Sequence, residues 1–159
     1  MSLNDWLLFL HVLAAFMLVA AEVLFTFLIA WLWKRDVPSD IARVSGISRF
    51  GNVLVGIGAG GVLILGIALA FEADSYAIWD PWIVAAIILW FAFAELGRRT
   101  GKVYDAAGAR ARTLVNEGRE EPNPELGAMF RSRAGLGFHL ASVAVLLLLL
   151  LDMFFKPGA

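Results

Sequence analysis

Cysteine is missing from all 159 residues, which removes disulfides, thiolate metal sites, iron–sulfur clusters and cysteine nucleophiles at once. Charge is scarce as well. Only 17% of residues are Asp, Glu, Lys or Arg, against 60% hydrophobic ones, and the net charge is −1. That balance speaks against nucleic acid as a partner. No paired-carboxylate hydrolase motif, phosphate-binding glycine loop or zinc-protease signature occurs, so no catalytic residue is assigned. Met1 to Asp5 contains no Lys or Arg, so a cleaved secretory leader is not expected and the apolar run that follows is read as retained. There is no internal repeat and no low-complexity tail.

What fills the chain instead is long apolar runs, and the mean hydropathy is +0.77. One soluble core of this length does not hide that much apolar surface, so lipid is the expected solvent. Four segments are long enough for a hydrocarbon layer of roughly 30 Å at about 1.5 Å per residue. They are 6–33, 53–71, 79–97 and 136–155, with Trp6, Trp33, Trp79 and Trp82 at the ends, where indole rings favour the headgroup level. Asp80 and Pro81 suit the cap and first turn of the third.

The cations are segregated. Lys34, Arg35, Arg43 and Arg49 lie between the first two spans, eight more from Arg98 to Arg133 lie between the last two, and only Lys156 stands elsewhere. The positive-inside rule then puts segments 34–52 and 98–135 in the cytoplasm, and both termini and the acidic Glu72 to Asp80 connection outside. Val103, Ala107, Ala111 and Leu114 recur at helical spacing, so the third helix is expected to project beyond the membrane. Gly118 is its expected stop. Asn123 and Pro124 are the expected start of a fourth helix entering lipid near Ala134, and Pro38, Ser39 and Asp40 play the same part in the first connection. The fold class is therefore all-α: a transmembrane four-helix bundle of two helical hairpins with cytoplasmic turns, in one domain. The expected location is a bacterial plasma membrane.

Ionisable residues inside lipid are costly and count as functional candidates. His11, Glu22, Glu95, His139 and Asp152 qualify. By depth, His11 lies near the outer boundary with Asp152 and Met153 and could pair with Asp152, whereas Glu22, Glu95 and His139 fall in the inner half and could form a polar cluster, with Glu95, nearest the edge, expected to neutralise Arg98 or Arg99. His11 and His139 are on the order of 15 Å apart along the membrane normal, too far to share one haem iron. His11 with Met153 remains an allowed axial pair for haem b, and His11 alone a metal ligand. Gly56 and Gly60 form a small-x-x-x-small pair in the glycine-rich second span, expected to let helix backbones pack closely.

Leu8-Phe9-Leu10-His11-Val12-Leu13 in the first span, the glycine-rich second span and Asp80-Pro81-Trp82 opening the third resemble an uncharacterised family of bacterial integral membrane proteins, a domain of unknown function. The early histidine also resembles the copper resistance protein D family and the haem-containing four-helix protoporphyrinogen oxidases. That resemblance implies a cofactor-binding role for His11, while Ala20 and Ala21 replace a glycine pair common there and no lysine lies inside a span. Three functions stay open. The first is a structural or accessory membrane component, with a homo-oligomer or membrane subunits as partners. The second is a haem b or copper redox protein. The third is a proton-coupled carrier using Glu22 and His139, enclosed by an oligomer.

Overall fold

A computed structural model describes residues 2–72 and 77–158. The described residues are helical, without strands: α1 Leu3–Leu32, α2 Pro38–Glu72, α3 Pro81–Asn116, α4 Pro124–Phe130 and α5 Arg133–Phe155. Four helical stretches, with α4 and α5 counted together, are long and apolar enough to cross a membrane. The centre of the acidic connection, including Asp74, lies outside the described residues.

Local chemistry explains the ends. Ser2 Oγ accepts from Asp5 N–H at 3.2 Å while the Asp5 carboxylate accepts from Ser2 N–H at 2.7 Å, a capping box that starts α1. Asp80 occupies the cap position of α3, but its carboxylate turns back to accept from Ala77 N–H at 3.0 Å. At the other end of α3, Arg119 N–H donates to Leu114 and Gly118 N–H to Val115, with Gly118 at φ +71°. That is a Schellman stop, and only glycine adopts such a φ without strain. Asn123 Oδ1 caps α4 by accepting from Leu126 N–H at 2.9 Å.

The fourth helix does not run unbroken from Pro124 into lipid, as the sequence suggested. It breaks at Arg131 and Ser132 and restarts as α5, with Ser132 Oγ accepting from Gly135 N–H at 3.3 Å. A serine that can cap is also a place where a helix can end.

Packing runs α1 to α2, α2 to α3, and α3 to α4 and α5, and α1 meets α5. The α1–α2 pair is antiparallel and closely seated. A Cβ at Gly51 would meet Phe25, at Gly58 the Ala14 carbonyl and Leu18, at Gly61 Ala14, and at Gly66 the His11 ring. Gly56 and Gly60 do not join this seam, since a Cβ at either would meet nothing within 4 Å. At 100° per residue the seam within the chain falls on the 51–58–61 face, and 56 and 60 lie off it.

Two apolar cores result. One holds Ile29, Leu32, Ile41, Val44, Ala111 and Leu114, joining the facing ends of α1 and α2 to the far half of α3 and α4. The segments 34–52 and 98–135 are thus largely helical and packed. The other core lies within the apolar spans, around Ala14, Leu18, Val62, Phe93 and Leu146. Outside the cores the usual partition is inverted: Phe16, Phe27, Ile64, Ile88 and Phe91 are exposed while Glu22, His139, Ser142 and Asp152 are buried. Such an apolar exterior suits lipid as the surrounding solvent.

Candidate functional site

Glu22, on α1, and His139, on α5, are 7% and 2% exposed, and they face each other between the two helices. Glu22 Oε2 stands 3.5 Å from His139 Nδ1, long for a hydrogen bond but close enough for charge pairing. Two hydroxyls complete the group. Thr26 Oγ1 is 2.9 Å from His139 Nε2 and donates to the Glu22 carbonyl at 2.8 Å. Ser142 Oγ donates to the His139 carbonyl at 2.8 Å and lies 3.3 Å from Glu22 Oε1.

A hydroxyl has one hydrogen to give. With Thr26 giving its hydrogen to the Glu22 carbonyl, Oγ1 accepts from His139 Nε2–H, and Nδ1 is left to face Glu22 Oε2. Oε2 itself has no hydrogen-bond partner. One proton shared between Nδ1 and Oε2 would serve both atoms and leave the pair without net charge, whichever atom carried it. Neutrality matters here because an unpaired charge in lipid costs several kcal/mol, on the order of 2.5 to 3.5 for an acid at mid-span.

This group borders a cavity of about 530 Å³ enclosed by α1, α2, α3 and α5 with Phe130 of α4. Phe25, Phe93, Tyr104 and Phe130 contribute aromatic wall, and Tyr104 Oη is buried there without a hydrogen-bond partner. Ser45, Asn52, Arg98, Lys102 and Asp105 add polar side chains to the lining.

A second cavity, of about 370 Å³, lies at the opposite end of the bundle. His11, Trp82, Trp90, Met153 and Lys156 line it. The His11 ring sits against the bare backbone of Gly66, where a Cβ would come within 3.0 Å of Cε1. His11 Nδ1 is buried without a hydrogen-bond partner, and the Val62 backbone faces the ring. Between the cavities the core around Leu18, Val62 and Leu146 is apolar.

Of the residues singled out by sequence, Glu22 and His139 meet, and His11 and Met153 share a cavity. Glu95 does not join the inner pair. It is turned outward, 42% exposed, and accepts from Arg98 and Arg99 at 2.7 Å. The i+3 and i+4 guanidinia on its own helix reach it more easily than groups across the bundle do. His11 and Asp152 do not pair either, for no hydrogen bond or ion pair joins them and Asp152 Oδ2 is buried unpartnered. Thr26 and Ser142 were not singled out. Their signal was present, since each follows its ionisable neighbour by four or three residues on one helix face.

Comparison with known proteins finds no matching family model, no matching curated protein and no matching solved structure.

Proposed function

We propose that the chain is a proton-coupled carrier of a plasma membrane, with the Glu22–His139 pair as its proton-binding site. The observation that carries this reading is an acid and an imidazole, both more than nine-tenths buried, in contact across two helices at the wall of a cavity. A purely structural or accessory bundle has no need of a 530 Å³ cavity beside its costliest polar pair. Cavities at both ends, separated by an apolar core, also suit alternating access to a central site.

Sidedness follows from charge. Twelve of the thirteen cations fall in 34–52 and 98–135, which supports a cytoplasmic location for that end and outer termini. A Cβ at Gly60 would meet nothing within 4 Å, and that face offers a close-packing surface to a second copy.

The test is proton flux into pyranine-loaded proteoliposomes under a potassium diffusion potential. Wild type is expected to exceed empty vesicles, and Glu22→Gln and His139→Ala to fall to the vesicle background. Equal flux for wild type and Glu22→Gln overturns the reading.

A second reading rests on the outer cavity. His11 and Met153 both line this cavity and are an allowed axial pair, and His11 Nδ1 has no hydrogen-bond partner. Among the described residues no three His, Cys, Asp or Glu side chains gather at one point, so the donors suit haem, which needs axial ligands alone, better than copper. Haem would supply one-electron chemistry, with His11 and Met153 holding it. Protein purified from haem-fed cells is then expected to show a Soret band that His11→Ala removes. Colourless wild-type protein would eliminate this reading.

A further inference from the structure

We infer that the inner cavity takes a lipophilic organic cation, which comes in between α2 and α3 and displaces the proton held by Glu22 and His139. This deepens the carrier reading and rests on it.

The way in is a gap between two helices. α2 and α3 touch where Trp90 Nε1–H donates to the Ala59 carbonyl at 3.0 Å, and again where Ser45 meets Gly108 and Arg112. Between those contacts α2 advances 14 residues, roughly 21 Å at about 1.5 Å per residue. Asn52 and Gly56 on α2 and Gly97 and Gly101 on α3 line the cavity in that interval. A Cβ at Gly56 or Gly97 would meet nothing within 4 Å, and at Gly101 only the Asp105 side chain at 3.9 Å. Residue 53 begins the second span and residue 97 ends the third, so the gap straddles the membrane boundary on the basic side. An amphiphile in that leaflet meets the opening without crossing the bilayer.

The interior selects charge. Glu22 brings the acid to the deep end on a side chain nine-tenths buried, its Oε2 facing His139 Nδ1 at 3.5 Å. Phe25, Phe93, Tyr104 and Phe130 are among the lining residues, and aromatic side chains attract desolvated cations. An anion would face the carboxyl with no counter-charge beside it. A neutral apolar guest would leave the proton on the Glu22–His139 pair, and nothing would be exchanged. The volume of about 530 Å³ falls in the range of roughly 300 to 1,000 Å³ used by drug-sized ligands.

The groups around Glu22 come from every side. Thr26 faces it on α1, and His139 and Ser142 face it from α5. α2 and α3 add charge to the cavity only toward its mouth, at Arg98, Lys102 and Asp105, and Arg98 is already held by Glu95. Exchange is balanced: the guest brings one positive charge, Glu22 becomes a carboxylate, and the proton leaves to water through the mouth. His139 is the group that passes it.

The probe is tetraphenylphosphonium, titrated calorimetrically into the full chain in detergent, in two buffers of different ionisation heat. Binding with release of about one proton per cation is expected, and Glu22→Gln is expected to weaken it about tenfold or more. Glu22→Asp, which keeps the acid, is expected to retain proton release and guards against a variant that merely misfolds. Gly97→Leu, placed in open space at the mouth, is expected to hinder binding while leaving the helical circular dichroism signal intact. Equal affinity for wild type and Glu22→Gln, binding without proton release, or no binding to wild type each overturns the inference. Glu22-dependent proton flux without tetraphenylphosphonium binding would keep the carrier reading and remove the cation.

Discussion

Thr26 illustrates how much a single hydroxyl decides at the residue scale. Its contact with His139 Nε2 at 2.9 Å orients the ring and selects which nitrogen faces Glu22. Thr26→Val keeps the branched shape and removes that partner. Interhelical hydrogen bonds in membranes are worth about 0.6 kcal/mol on average and up to about 1.7, so a loss of about 1 kcal/mol is expected in reversible unfolding in mixed micelles. Proton flux should drop with it, because the ring is freed to turn. No change in either would show that the imidazole is held by packing alone. Ser142, 1% exposed and touching both Glu22 and the His139 carbonyl, plays the matching part on α5.

Among the elements, the glycines of α2 divide into two faces with different consequences. Gly58 lies where a Cβ would come within 3.0 Å of the Ala14 carbonyl and the Leu18 side chain, and backbone cannot yield as a long side chain can. Gly58→Leu is expected to destabilise the α1–α2 pair by roughly 1 to 3 kcal/mol or to prevent its assembly. Gly60→Leu meets nothing within the chain and should leave monomer stability unchanged. Any loss of oligomer for Gly60→Leu, seen by light scattering in detergent, would mark that face as the contact between copies. Gly118 ends α3 at φ +71°, so Gly118→Ala should cost about 1 kcal/mol through strain in the Schellman stop, measurable in the same unfolding assay.

For the whole molecule, orientation is the property that charge pattern argues and labelling decides. The chain has no cysteine, so single cysteines report cleanly. With a membrane-impermeant maleimide, Ser2→Cys should label in intact cells and Glu120→Cys only after the inner face is opened. The reverse pattern would invert the bundle and put the inner cavity on the outside. The exposed Phe, Ile and Leu side chains around a buried polar pair suit solvation by lipid or detergent.

Sequence by itself determined the quantities that depend on one helix at a time. Span length, cation segregation, the stop at Gly118 and the cap at Asn123 are local or one-dimensional, so adjacent residues state them outright. Pairing between helices is different, because it depends on rotation about each axis and on which faces meet. Depth placed Glu22, Glu95 and His139 at similar heights, but height says nothing about direction, and Glu95 turned outward to Arg98 and Arg99 while Glu22 turned inward to His139. The same missing angle hid Gly58 behind the more conspicuous Gly56 and Gly60, and left the break at Ser132 and both cavities unseen. Only the tertiary structure resolves such choices, since a side chain's partner is fixed by the packing of α1 against α2 and α5 and not by its place along α1.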